Sequence, residues 1–64
     1  MIQELTIEIC VVAKYSTGDS FCLAKFMHEE DAREWIKRQK PEPWREWKLY
    51  ERRVVRGEVQ WTEL

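Results

Sequence analysis

Glycine and proline are scarce, two of each in 64 residues, and both glycines, Gly18 and Gly57, are isolated turn residues. A glycine-rich loop that cradles phosphate is therefore absent. There is one histidine, His28. A general base needs a nucleophile and an orienting group within reach, and Ser16 and Ser20 belong to a distant turn. Cysteine is limited to Cys10 and Cys22. Together with His28 they are the only soft ligands, they lie on separate segments with no short-spaced pair, and zinc asks for four ligands or three plus water. Lacking a nucleophile–base pair, a phosphate cradle and a metal site, the chain is expected to be non-enzymatic and to need no cofactor. No apolar run approaches the ~20 residues of a membrane span. The opening Met1-Ile2-Gln3-Glu4 has neither the basic stretch nor the apolar core of a signal peptide. The expected location is the cytoplasm.

What is present is mainly apolar and charged, with an aromatic fraction of 12%. The hydrophobic fraction is 44% and the charged fraction 36%, too apolar for a disordered chain. The length predicts a single domain over 1–64. A domain this small buries only about 60% of what its unfolded chain exposes. Four tryptophans, Trp35, Trp44, Trp47 and Trp61, are many for such a chain. Each can bury roughly 150–250 Å², as core or as an interface anchor. The net charge of −1 conceals a polarity: the first half is acidic, whereas residues 33–56 hold nine cations against four carboxylates.

Hydrophobic periodicity sets the elements. Residues 2–15 alternate, with Leu5, Ile7, Ile9, Val11 and Ala13 on one face, as in a half-buried strand. A three-residue loop, Thr17-Gly18-Asp19, is expected to return the chain into a second strand. Its parity puts Phe21, Leu23 and Met27 in the core. This register sets Cys10 opposite Phe26 and Cys22 opposite Lys14, more than ~10 Å apart along the strands. That is too far for a disulfide, so both cysteines are expected to be free thiols. In His28–Lys40 the period changes: Ala32, Trp35, Ile36 and Gln39 form a helical stripe. Glu29, Glu30 and Asp31 in the first turn and basic residues in the last complement the helix dipole. This explains the acidic run without a metal. Pro41-Glu42-Pro43 stops the helix. Trp44–Val55 is a third strand, Arg56-Gly57 a two-residue turn, and Glu58–Glu63 a fourth strand. The turn pairs Val54 with Val59, Arg52 with Trp61 and Tyr50 with Glu63.

The expected fold class is therefore α+β: one small ββαββ domain, with a four-stranded antiparallel sheet and one helix packed on one face. A single helix leaves much of such a sheet uncovered. The predicted function is a protein-interaction module, a regulator or inhibitor, whose partner is another protein or a second copy in a homodimer. Arg45, Trp47, Tyr50, Arg52 and Trp61 are the candidate partner-binding residues. The alternative is single-stranded nucleic acid, with aromatic rings stacking bases and cations holding phosphates. Lys37, Arg38, Lys40, Trp44, Lys48 and Arg53 would serve that role. The interspersed carboxylates and a pI near 5.8 weigh against it. In size and style the chain resembles the small accessory reading frames of phages and mobile elements, which often encode lone α+β inhibitors of host enzymes or defence systems. That resemblance implies an anti-defence type of inhibitor.

Overall fold

The computed structural model describes residues 5–64. The elements run β1 (Leu5–Tyr15), β2 (Ser20–Phe26), α1 (Glu29–Lys37), β3 (Arg45–Val55) and β4 (Glu58–Glu63). The strands form one antiparallel sheet in the order β2-β1-β3-β4, so the expected α+β architecture is present. Residues 2–4 of the expected first strand lie outside the described residues.

β1 and β3 occupy the centre. They pair along their full lengths, from Leu5 opposite Val55 to Tyr15 opposite Arg45. The alternation of β1 explains why it sits there. Ile9, Val11 and Ala13 face the helix and are buried, together with Leu49 of β3 and Ala32 of α1. Ala24, Phe26, Trp35, Ile36 and Trp47 pack around them. Trp35 meets Trp47 edge-on with ring centroids 5.3 Å apart, and Phe26 lies 6.3 Å away on its other flank. Such aromatic pairs add about 0.5–1.5 kcal/mol beyond burial. They concentrate the apolar contact that a short chain otherwise lacks.

The first hairpin departs from the expected register. The chain turns one residue earlier, over Ser16-Thr17-Gly18. The Tyr15 amide donates to the Asp19 carbonyl at 2.8 Å, and the Gly18 amide donates to the Tyr15 carbonyl at 2.9 Å. Gly18 has φ +97°, which the reversal requires and glycine supplies without steric cost. The Thr17 hydroxyl braces the loop by donating to Asp19 Oδ2. Pairing then shifts again at a bulge: Val12 opposes Cys22, but Val11 opposes Ala24, which leaves Leu23 without a counterpart. One extra residue reverses the parity of everything beyond it. Ala24 and Phe26 therefore face the core. Leu23 and Met27, expected inside, are 48% and 79% exposed, whereas Phe21, opposite Ala13 and ahead of the bulge, keeps the expected face but is 54% exposed near the hairpin end, its ring against Tyr15.

The helix is shorter than the 28–40 expected. His28 is extended and stands at the N-cap position without a side-chain cap hydrogen bond. At the other end the last turn tightens: Arg38 and Gln39 donate to the Trp35 and Ile36 carbonyls, three residues back. The Gln39 side-chain amide also donates to the Trp35 carbonyl, at 3.0 Å. Pro41 disfavours helical backbone at Lys40, so the helix is closed off before it reaches the proline. α1 packs on β1 and β2. It thereby leaves the outer part of the β3–β4 hairpin uncovered.

Candidate functional site

Opposed residues in an antiparallel ladder project to the same side. The register therefore defines the sheet face away from α1. It carries Glu8, Cys10 and Val12 from β1, Cys22 and Lys25 from β2, Lys48, Tyr50, Arg52 and Val54 from β3, and Val59, Trp61 and Glu63 from β4. No element of the described residues crosses this face.

Glu8 organises one half of it. Its carboxylate lies 3.5 Å from Arg52 Nη1 and 3.8 Å from Lys25 Nζ. Arg52, held from below by Glu8, spreads its guanidinium 5.9 Å from the centre of the Trp61 ring. The pairing of Arg52 with Trp61, expected from the two-residue turn, is observed. Trp61 remains 56% exposed and Val59 beside it 45% exposed. Glu63 organises the other half. Tyr50 donates its hydroxyl to Glu63 Oε1 at 3.2 Å, and Lys48 Nζ lies 3.9 Å from the same oxygen and 3.5 Å from Glu46. A rigid aromatic ring thus stands beside a charge-balanced border.

The five residues selected from sequence do not share a face. Tyr50, Arg52 and Trp61 are together on the open side. Arg45 and Trp47 point to the helix side, where Trp47 is part of the core. Arg45 stacks 4.5 Å from the Trp47 ring centre and donates through Nη2 to the Lys40 carbonyl. That pair fastens the loop between α1 and β3. The residues of the nucleic-acid alternative are dispersed. Lys37 and Arg38 end the helix, Lys40 and Trp44 lie in the following loop, Lys48 is on the open face, and Arg53 is on the opposite one, 3.1 Å from Glu51. Arg38 and Lys48 also have carboxylate neighbours within 4 Å.

The sequence reading missed the role of Glu8, because it depends on β1 lying beside β3. It also overestimated the separation of the cysteines, although both are free thiols as expected. The earlier turn and the bulge bring Cys22 to within one diagonal step of Cys10 rather than several residues away. Cys10 is buried and Cys22 exposed. Burial pushes the Cys10 thiol above its ordinary range, and the adjacent Cys22 thiol reinforces this, while Lys25 pulls the other way. Among the described residues, no three metal-binding side chains converge, and no helix is long and apolar enough to cross a membrane. No protein-family model, curated protein or solved structure matches the chain.

Proposed function

We propose that this protein is a non-enzymatic binding module of the cytoplasm, which regulates or inhibits a protein partner by occupying its surface with the open sheet face. One observation carries the reading: an exposed tryptophan on a rigid strand, with an arginine aligned against its ring by a carboxylate from the neighbouring strand. Tryptophan and arginine dominate the binding energy of protein interfaces because both bring large contact area with a polar edge. The carboxylates that neighbour Lys25, Lys48 and Arg52 leave little of this face's positive charge for a phosphate backbone, which favours protein over nucleic acid.

The test compares the wild-type chain with Trp61→Ala in quantitative capture from host lysate, with circular dichroism on both. The expected result is one specific protein whose affinity falls at least ~5-fold in a variant that stays folded. An unfolded Trp61→Ala protein would show that the ring is structural, and equal capture would remove the anchor role. Anisotropy with single-stranded DNA and RNA supplies a counter-test. Binding that collapses as salt rises would transfer the function to nucleic acid.

A further inference from the structure

The two outer edges of the sheet differ. β2 is interrupted by the bulge at Leu23 and carries Lys25, both of which discourage another strand from pairing with it. β4 has neither device. Glu58-Val59-Gln60-Trp61-Thr62-Glu63 runs without bulge or proline. It also contains no lysine or arginine, in a chain with eleven of them. The Leu64 amide donates to the Leu49 carbonyl at 2.9 Å, so the even-numbered residues of β4 turn their backbone groups toward β3. Val59, Trp61 and Glu63 therefore direct theirs outward along a free edge.

We propose that β4 pairs antiparallel with β4 of a second copy, about a two-fold axis through Gln60. The sequence is self-complementary in that register. Val59 opposes Trp61 of the other copy, and Trp61 opposes Val59, an aromatic–β-branched pair repeated by symmetry. These are also the residues whose amides and carbonyls point outward, so each pair closes two backbone hydrogen bonds. Gln60 faces Gln60, and Glu58 faces Thr62. No like charges meet. Slipping by one residue in either direction would turn the Trp61 side chains to opposite faces, and in one direction would oppose Glu58 to Glu63. Centring on Trp61 would set the Glu63 carboxylate, already engaged by Tyr50 and Lys48, against Val59. The favoured register makes one eight-stranded sheet with both Trp61–Arg52 units on the same side. It does not depend on what the open face binds.

The experiment is sedimentation equilibrium on the full chain over a dilution series, with Gln60→Lys, Gln60→Glu and their equimolar mixture. Wild type is expected to be a reversible dimer. Each variant alone places like charges across the axis and should weaken association about fivefold, whereas the mixture places opposite charges there and should restore it. A wild-type chain that stays monomeric throughout would overturn the proposal. So would a mixture that associates no better than either variant alone. Far-UV circular dichroism is run on both variants; if Gln60→Lys, a cation opposite Arg53 of its own chain, is unfolded, Gln60→Glu carries the test alone, and association as strong as wild type in that folded variant would overturn the proposal.

Discussion

Two adjacent residues make the second hairpin: Arg56 at φ +52° and Gly57 at φ +81°. Both central positions of this turn lie in the left-handed region, which matches the twist of the strands it joins. A Cβ added at Gly57 would meet nothing within 4 Å, so the cost of replacing it is backbone strain alone. Gly57→Ala is expected to lower unfolding free energy by about 1–2 kcal/mol in urea titration, with no change in the folded spectrum. Cys10 gives the residue scale a pH signature. Its thiol is held protonated in the fold at pH values where the unfolded chain would ionise it. Its folded-state pKa is raised, so the associated stability is complete below the ordinary thiol value of 9.0 and is lost as pH climbs beyond it. Denaturation midpoints should fall on entering that alkaline range, and Cys10→Ala should flatten this part of the curve. Arg56-Gly57 was readable from sequence because a glycine in a two-residue gap between alternating strands has one favoured geometry. The Cys10 environment was not, because it depends on a neighbour placed by the turn and the bulge.

At the level of elements, the helix shows where local rules are sufficient and where they stop. Its apolar stripe and its charged ends are visible in the residues, and Ala32, Trp35 and Ile36 face the core as expected. Its length was overestimated, because periodicity extends through Gln39 while the constraint from Pro41 acts upstream of the proline itself. The N-terminus is suboptimal. His28 has the extended backbone of an N-cap residue but provides no cap bond. His28→Ser should supply an acceptor for an orphan amide and raise stability by roughly 0.5–1 kcal/mol, read as a higher melting temperature. The β1–β2 hairpin was harder. Phe21, Leu23 and Met27 looked like a core row at period two, and the bulge at Leu23 broke that row. A bulge has no reliable sequence mark here, since Leu23 is neither glycine nor flanked by one.

At the level of the whole molecule, the sheet order was the least legible feature, and it determines the site. Hydrophobic alternation assigns each strand a buried face but says nothing about which strand lies beside which. With β1 set next to β3, Glu8 meets Arg52, and Arg52 is steadied against Trp61. The same order separates the sequence-selected residues: Arg45 and Trp47 serve the closure of the α1–β3 loop, while Tyr50, Arg52 and Trp61 remain outside. Four tryptophans thus divide by location. Trp35 and Trp47 build the interior, Trp44 is exposed in the loop before β3, and Trp61 stands on the free face. Removing Trp35 should cost about 3–5 kcal/mol, as for other large aromatic truncations in a core, whereas Trp61 is expected to be expendable for folding.

The central position of β1 also bears on how the protein is made. During synthesis β1 emerges first, and β2 and α1 follow soon enough to pair with it and cover it. Its other edge must wait for β3, because Leu5 finds Val55 only after β2, α1 and all of β3 have been translated. Such long-range pairing is slow to close, and an unpaired apolar strand is the form in which nascent chains aggregate. The last hairpin, besides presenting the exposed tryptophan, is thus the step that converts a half-built sheet into a stable fold.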